Sequence, residues 1–223
     1  MKVTALLPMK AHSERIPNKN IRFFAGLPLY HCIAEILESS LLIDEILINT
    51  DSGQIAEDAH RHFAKVKIID RPVNLRGDFV SMNDIIAHDI QSTEAEHFLQ
   101  THSTNPLLTK ETLERAIRKY FSILPEYDSL LSVSKIQSRL YWASGEPVNH
   151  NPNELLRTQD LPPLFEENSN IYLFSKKSFF AAGNNRIGLN PKMFIMDKAE
   201  AIDIDNKEDW KLAEALFNLR ENQ

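Results

Sequence analysis

Apolar runs and helical periods alternate along the first 134 residues of the chain. Short apolar runs predict strands at 2–7, 45–50, 65–70, 96–100 and 128–134. Between them, apolar positions recur at helical spacing in segments 28–40, 52–64, 81–92 and 109–121, which predict helices. This alternation is typical of parallel βαβ units, so we expect an α/β fold with a mostly parallel sheet.

The alternation breaks between about 135 and 168. This segment contains prolines and no helical period, although Tyr141, Trp142, Leu155 and Leu156 give it apolar side chains that can pack. We interpret it as an excursion from one domain of residues 1–223, serving as a lid or a dimerisation arm. Beyond it, residues 171–175, 192–196 and 200–205 predict strands, and 206–220 predict a closing amphipathic helix.

Composition excludes several classes of protein. A net charge of −6 argues against a nucleic-acid binder, and the absence of an 18-residue apolar run argues against a membrane span. The single cysteine, Cys32, cannot form an internal disulfide, so we expect a cytoplasmic protein. His60 and His62 are too close in sequence to form an i,i+4 pair, and with one cysteine this argues against a zinc site.

A cationic loop follows the first predicted strand and contains Lys10, Arg15, Lys19 and Arg22. Loops at the carboxyl ends of strands bind ligands in open α/β sheets, so these cations indicate an anionic ligand. Neither the P-loop motif nor the dinucleotide fingerprint is present. Phosphates would therefore be held by Lys and Arg side chains and by backbone amides of the turn.

Two carboxylates lie close together in "EAIDID", residues 200–205. On a strand, Asp203 and Asp205 project to the same side, where they repel each other unless a cation lies between them. Mg²⁺ prefers carboxylate oxygens and substrate phosphates, which makes it the expected cofactor. The alternative interpretation is a solvated turn in which Asp205 caps the closing helix.

Six stretches, in order over nearly the whole chain, resemble the acylneuraminate cytidylyltransferases, the synthetases of CMP-sialic and other CMP-nonulosonic acids. They are HSERIPNKNIRFFAGLPL, INTDSGQIAEDA, RPVNLRGDFVSMNDII, FLQTHSTNPLL, RTQDLPPLFEENSNIYLFS and EAIDIDNKEDWKLAEAL. The resemblance implies a Rossmann-like nucleotidyltransferase fold of the nucleotide-diphospho-sugar transferase type. It also implies Mg²⁺ dependence and a homodimer in which an arm of one subunit reaches the other's sugar site. The implied reaction moves CMP from CTP to a 2-keto sugar acid such as sialic, legionaminic or pseudaminic acid, with release of pyrophosphate.

The resemblance also assigns roles to individual residues. Lys19 matches the phosphate-contacting lysine, and we expect Lys10 and Arg15 to help it hold the triphosphate. The implied nucleotide ligands are Asn20, Arg71, Asp78 and Ser81. The implied acceptor ligands are Gln100, His102, Arg157, Gln159, Asn168 and Tyr172, and the implied metal ligands are Asp203 and Asp205.

Departures from the family pattern concentrate on the acceptor side. Leu108 replaces a usual Arg, and Glu166 and Ser169 stand where Arg and Gly are common. In the loop, Lys10 replaces Arg and Glu14 replaces Lys. Two alternatives therefore stay open. One is cytidylyl transfer to another acceptor, such as ketodeoxyoctulosonate, a phosphonate or a different acid. The other is a nucleotide-binding relative without catalysis.

Overall fold

A computed structural model describes residues 1–221, which form a seven-stranded sheet, a short hairpin and six α-helices. The strands are β1 Val3–Leu6, β2 Phe23–Phe24, β3 Leu27–Pro28, β4 Ile43–Thr50, β5 Val66–Asp70, β6 His97–Gln100, β7 Ser129–Ile136, β8 Leu164–Ser175 and β9 Pro191–Ile195. The helices are α1 Leu29–Ser39, α2 Gly53–His62, α3 Met82–Gln91, α4 Lys110–Ile123, α5 Lys176–Ala181 and α6 Lys207–Glu221. None of the helices in this part of the chain has the length and apolar character needed to cross a membrane.

The main sheet has the order β5-β4-β1-β6-β8-β7-β9. Strand β8 runs antiparallel to both of its neighbours, and every other pair in this described sheet is parallel. The prediction of a mostly parallel α/β sheet is confirmed. Since β1 and β6 are parallel neighbours, the loops that follow them emerge side by side at one edge of the sheet.

Strand β1 lies inside the sheet and is buried on both faces. Ala5 and Leu7 join the cluster under α1 and α4, whereas Leu6 joins the cluster under α3. This is the alternation expected of a strand covered by helices on both sides. Helices α2, α3 and α4 each begin after a hydroxyl side chain, of Ser52, Ser81 and Thr109 respectively, that accepts a hydrogen bond from the first turn.

The excursion is shorter than predicted and covers 137–163, because β7 continues to Ile136 and β8 begins at Leu164. Its regular structure is one short 3-10 helix, Thr158–Asp160. Tyr141, Trp142 and Leu155 are largely exposed on it. Its role as a lid or a dimerisation arm stays a prediction.

The predicted strand at 200–205 is wrong. Strand β9 ends at Ile195, and the chain then crosses the edge of the sheet without pairing as a strand before α6 begins. The alternating pattern arises because Ile202 and Ile204 pack into a third apolar cluster with Ile16, beneath the cationic loop. The sequence pattern also missed the β2–β3 hairpin.

A buried polar chain connects β4 to α3 and to the segment after β5. Asn49 donates to the Asp89 carboxylate (2.5 Å) and accepts from Arg71 Nε (2.7 Å). Burial raises the pKa of Asp89 to about 6, although the hydrogen bond from Asn49 opposes this shift. The ionised form of Asp89 is therefore less favourable in the folded protein than in the unfolded chain.

We expect Asp89→Asn to change how stability depends on pH. Because the folded pKa is raised, wild-type stability is greatest below the unfolded pKa of about 4. It declines as pH rises through about 6. The wild type should lose up to about 3 kcal/mol relative to Asp89→Asn across this interval. Urea unfolding of both proteins between pH 4 and 7 measures the difference, and identical pH profiles would contradict the assignment.

Candidate active site

A cleft of about 360 Å³ opens where β1 and β6 end. Its walls come from the loop after β1, the segment between β5 and α3, the loop after β6, and the segment before α6. The lining residues with ionisable side chains are Lys10, Glu14, Arg15, Lys19, Arg71, Asp78, His102, Asp203 and Asp205. The cationic loop and the segment with Asp203 and Asp205 therefore meet in one cleft.

The cationic loop is held in place by contacts at several points. Met9 pairs with Thr50 at the end of β4, and the Ala11 amide donates to Asp51 (2.7 Å). Ile16 is buried beneath the loop. Asn18 has a left-handed backbone, with a φ of 56°, and leads into a 3-10 turn over Lys19–Ile21.

These anchors direct three of the four loop cations into the cleft. Lys10 forms an ion pair with Asp78, and Arg15 Nη1 lies 2.9 Å from Asp205 Oδ2. The grouping of Arg22 with them is wrong, because its guanidinium lies 5.3 Å from the ring centre of Trp210 on α6. The exposed cation finds an aromatic face there instead of the anion site.

Lys19 is the most enclosed of the three cations, with 14% of its side chain exposed. Its Nζ donates to the Ile204 carbonyl (2.6 Å) and lies 3.8 Å from Asp205 Oδ1. Burial lowers the pKa of Lys19, while the charges of Asp203 and Asp205 act in the opposite direction. The charges of the two aspartates thus offset only part of the effect of burial on the pKa of Lys19.

Asp203 and Asp205 both line the cleft, as the sequence predicts, although no strand places them there. Burial, and then the charge of Asp205, raises the pKa of Asp203. Its Oδ1 is buried without a hydrogen-bond partner among the described residues. A buried carboxylate oxygen of this kind is unfavourable unless a ligand or ion pairs with it.

The alternative role of Asp205 as helix cap is wrong. The amides of Glu208 and Asp209 at the start of α6 both donate to Asn206 Oδ1 (2.9 Å each). Asn206 is therefore the cap, and the carboxylate of Asp205 faces Arg15 and Lys19 instead.

Three of the four predicted nucleotide ligands line the cleft: Asn20, Arg71 and Asp78. Asn20 donates to the Lys10 carbonyl (3.0 Å) and accepts from Ser103 (2.7 Å), which joins the two loops. Arg71 is 4% exposed and is fixed by Asn49 on β4, which accepts from its guanidinium through the side chain (2.7 Å) and the carbonyl (2.8 Å).

The structure does not bring Ser81 into the cleft. Its hydroxyl caps α3 by accepting from the Asn83 amide (3.2 Å), while its neighbours Val80 and Met82 line the wall. The residue predicted as a nucleotide ligand is thus a helix cap beside the site.

Of the six predicted acceptor ligands, His102 alone lines the cleft. Gln100 is fully buried; its amide donates to the Thr101 carbonyl (2.9 Å) and lies 3.2 Å from His102 Nε2. Burial, followed by the charges of Arg186 and Lys19, lowers the pKa of His102 to about 4. The imidazole is therefore neutral at neutral pH and can accept from Gln100.

Tyr172 and Asn168 lie on β8, outside the residues that line the cleft. Tyr172 pairs with Gln100 in register and is fully buried, with its hydroxyl donating to Glu167 and also lying 3.1 Å from Ser169 Oγ. The Asn168 amide is occupied by β7, because Oδ1 accepts from Ser132 (2.6 Å) and Nδ2 donates to Ser134 (3.1 Å).

Arg157 and Gln159 lie on the exposed excursion, outside the residues that line the cleft. Arg157 Nε is 2.7 Å from Asp160 Oδ2 in a local ion pair. Within one chain, the structure does not bring these two predicted ligands into the site.

The sequence pattern missed Arg186. Its Nη1 donates to Gln100 Oε1 (2.6 Å), and its guanidinium carbon lies 3.8 Å from the ring centre of Tyr172. No ion pair between Arg186 and a carboxylate occurs in the part of the chain that the structure describes. Burial lowers the pKa of this guanidinium, yet arginine stays charged in proteins. Arg186 is thus a half-buried cation without a direct carboxylate contact among the described residues, although the charge of Glu167 acts on it.

Two of the departures from the family pattern have structural explanations. Leu108 is fully buried in the main core, so the missing arginine there is a difference in packing rather than in the cleft. Ser169, where glycine is common, has a left-handed backbone with a φ of 57°. The chain keeps the conformation that favours glycine and adds a hydroxyl beside Tyr172.

An α/β sheet with cations and paired carboxylates at the carboxyl ends of its strands defines a protein that handles phosphorylated ligands. The model of the cytidylyltransferase family matches residues 4–220. The chain therefore belongs to the cytidylyltransferase family and is a nucleotidyltransferase enzyme.

Relatives of known activity match the chain over almost its full length. A CMP-N,N'-diacetyllegionaminic acid synthase of Legionella pneumophila is 29% identical, with 99% of this chain and 98% of the relative covered. A pseudaminic acid cytidylyltransferase of Campylobacter jejuni is 25% identical, with 98% and 97% covered. An N-acylneuraminate cytidylyltransferase of Escherichia coli is 25% identical over 95% of this chain and 51% of its own length.

Solved structures support the fold. A CMP:2-keto-3-deoxy-manno-octonic acid synthetase complexed with CTP superposes with a TM-score of 0.73 at 13% identity, covering 99% of this chain and 100% of that one. A 4-diphosphocytidyl-2C-methyl-D-erythritol synthase superposes with a TM-score of 0.70 at 14% identity, covering 97% and 99%. At these identities the likeness concerns the fold alone, and it confirms the Rossmann-like nucleotidyltransferase architecture.

Proposed function

We propose that this enzyme transfers CMP from CTP to a nonulosonic acid and releases pyrophosphate, a step in the synthesis of surface glycans. The observation that carries the proposal is the convergence of Lys10, Arg15 and Lys19 with Asp203 and Asp205 in one cleft. The named activities of the full-length relatives support a nine-carbon 2-keto acid as the acceptor.

In the proposed reaction, the anomeric hydroxyl oxygen of the acceptor forms a bond to the α-phosphorus of CTP. The bond from that phosphorus to the bridging oxygen breaks, pyrophosphate leaves on the opposite side, and the hydroxyl proton passes to solvent water. Lys10, Arg15 and Lys19 hold the triphosphate and neutralise its growing charge, which is the main contribution a protein makes to such transfers. Asn20, Arg71 and Asp78 hold the nucleoside end of the same cleft.

Mg²⁺ is part of the proposal, and the residues present fit it. The buried Oδ1 of Asp203 has no partner among the described residues, and the Asp205 carboxylate lies beside it in the cleft. Two carboxylates facing a triphosphate form the oxygen-rich donor set that Mg²⁺ takes. When bound, the ion would supply charge stabilisation at the transferring phosphoryl group.

The acceptor's carboxylate requires a cation or several donors, and we propose Arg186 for this role. Arg186 contacts Gln100, which in turn lies 3.2 Å from His102 in the lining of the cleft. Gln100 and Tyr172 hold the Arg186 guanidinium in place, and Asn168 lies on the same strand as Tyr172. Arg157 and Gln159 would reach an acceptor site from a second subunit, so the predicted homodimer is retained, supported by the exposed apolar residues of the excursion. The cytoplasmic location predicted from the single cysteine is retained with it.

The proposal is tested with purified protein, CTP, Mg²⁺ and a panel of acceptors. Pyrophosphate release and the CMP-linked product are expected with sialic, legionaminic or pseudaminic acid. Turnover with ketodeoxyoctulosonate or a phosphonate alone would move the activity to another acceptor class. Tight CTP binding without turnover on any acceptor would indicate a binding protein that has lost catalysis.

Asp203→Asn and Asp205→Asn should each lower kcat by about 100- to 1,000-fold, because each removes charge from the proposed Mg²⁺ site. The double variant should be little worse than either single variant, since both carboxylates would act through one ion. Turnover against Mg²⁺ concentration measures this, with circular dichroism to confirm folding. Glu208→Gln, a nearby exposed acid, is the matched control. Near-normal turnover in the folded aspartate variants would remove the metal assignment.

Arg186→Met should raise KM for the acceptor by about 10- to 100-fold and leave KM for CTP almost unchanged. Methionine keeps an apolar contact with Tyr172 while removing the charge. Arg22→Met is the matched control, because Arg22 lies on Trp210 outside the cleft. Equal effects on both KM values, or none on the acceptor, would contradict the assignment of Arg186.

A further inference from the structure

A second cluster of metal-ligating side chains lies between α1 and α2 and shares no residue with the candidate active site. His31 Nε2 on α1 is 2.7 Å from Asp58 Oδ2 on α2. His62 Nδ1, also on α2, is 3.3 Å from Asp58 Oδ1. One ligand atom from each of the three residues can be chosen so that all lie within 4.8 Å of one another.

The spacing on each helix puts a further carboxylate, Glu35, in the same cleft, outside the three clustered ligands. Asp58 and His62 are four residues apart on α2, and His31 and Glu35 are four apart on α1. Residues at this spacing lie on one face of a helix, and all four line a single cleft. Glu38 lines it too, but its carboxylate already accepts from the amides of Ala64 and Lys65.

Neighbouring side chains hold two of the ligands, His31 and Asp58, in place without a bound metal. His31 is 5% exposed, and its ring packs edge-on against Tyr30 and Phe63, at centroid distances of 4.6 and 5.0 Å. The Tyr30 hydroxyl donates to the Asp58 carboxylate. Hydrogen-bonded carboxylates and rings locked by packing are what metal sites use to orient their ligands.

We propose that His31, Asp58 and His62 form a binding site for one Zn²⁺-type divalent transition-metal ion, with Glu35 or water as the fourth ligand. Imidazole nitrogens combined with carboxylate oxygen suit zinc, whereas Mg²⁺ takes mostly oxygen ligands. The sequence pattern missed this site because it compared His60 with His62. The partner that completes the set, His31, lies on another helix.

Metal binding requires the side chains to adjust. Metal–ligand bonds of about 2.0–2.2 Å in a tetrahedral site hold ligand atoms about 3.3–3.6 Å apart. The widest pair must therefore close by up to about 1.5 Å, and the hydrogen-bonded His31–Asp58 pair must open by about 0.6 Å or more. The His62 side chain, 47% exposed, has room to move. His62 Nδ1 now lies 2.8 Å from the Asp58 carbonyl, so this contact is exchanged for the metal bond.

A metal here joins α1, which follows the cationic loop and the β2–β3 hairpin, to α2, which follows β4. Its effect is on stability rather than on the transfer reaction, since the clefts are separate. An ion that binds the folded state alone raises the melting temperature with its concentration.

The test uses the full chain after chelator treatment, with Zn²⁺ followed by calorimetry and Co²⁺ followed by its visible absorption. We expect one ion per chain, the absorption of a four- or five-coordinate cobalt site, and a rise in Tm of about 5–10 °C at 100 times Kd. His62→Ala and Asp58→Asn should each weaken Zn²⁺ binding by at least about 10- to 100-fold.

His60→Ala is the matched control, an exposed histidine two residues away on the same helix, and it should bind like the wild type. The Asp203→Asn and Asp205→Asn variants should also keep this binding, which separates it from the proposed Mg²⁺ site. The proposal is overturned by absence of saturable Zn²⁺ binding. Equal loss in His60→Ala and His62→Ala, or loss in the Asp203 or Asp205 variants, would also overturn it.

Discussion

One hydrogen bond, from Lys19 Nζ to the Ile204 carbonyl, spans 185 positions of the chain and joins the two halves of the site. It forms because Ile16 and Ile204 pack in one apolar cluster beneath the cationic loop, with Phe24 and Leu29. The packing of this cluster determines where the charged groups lie. Burying the two isoleucines fixes the loop and the segment before α6 against each other, and Lys19 and the two aspartates then face the same cleft.

This arrangement confines three cations and two carboxylates to a small space at a cost in solvation. Burial lowers the pKa of Lys19 and raises that of Asp203, so both charges are held away from water. Each charge partly compensates the other, yet the pairing is incomplete, because Asp203 Oδ1 has no partner among the described residues. A site that is fully neutralised on its own gains little from a charged ligand. The incomplete pairing leaves room for a triphosphate and a divalent cation to complete it.

Local patterns predicted most of the fold because each strand and helix carries its own period. The residues that the sequence could not place depend on tertiary packing. The stretch "EAIDID" has the alternating pattern of a strand because Ile202 and Ile204 pack into an apolar cluster. The Ile204 amide, however, donates to the Thr104 carbonyl in the loop after β6, not to a strand. Asp203 and Asp205 still project to the same side, because the alternate residues Ile202 and Ile204 are anchored in the core on the other side. Arg22 was grouped with the other cations because sequence distance cannot reveal that Trp210 lies beside it.

The proposed acceptor side was hardest to predict because it depends on β8, which runs antiparallel to both of its neighbours in the sheet. Antiparallel β8 sets Tyr172 opposite Gln100, and Arg186 from the loop after α5 covers both. That loop is positioned by its backbone: Asp128 accepts from the amides of Leu189 and Asn190 (2.8 and 3.0 Å). Gly188 has a left-handed backbone, with a φ of 76°, and a Cβ there would clash with the Asp128 carboxylate, so the position favours glycine. Arg186 itself donates to the neutral Gln100 and stacks on Tyr172, and the Glu167 carboxylate acts on its charge without forming an ion pair with it among the described residues. Arg186 can therefore bind an anionic ligand without first giving up an ion pair, whereas Lys10 and Arg15 would exchange their contacts with Asp78 and Asp205 for the ligand.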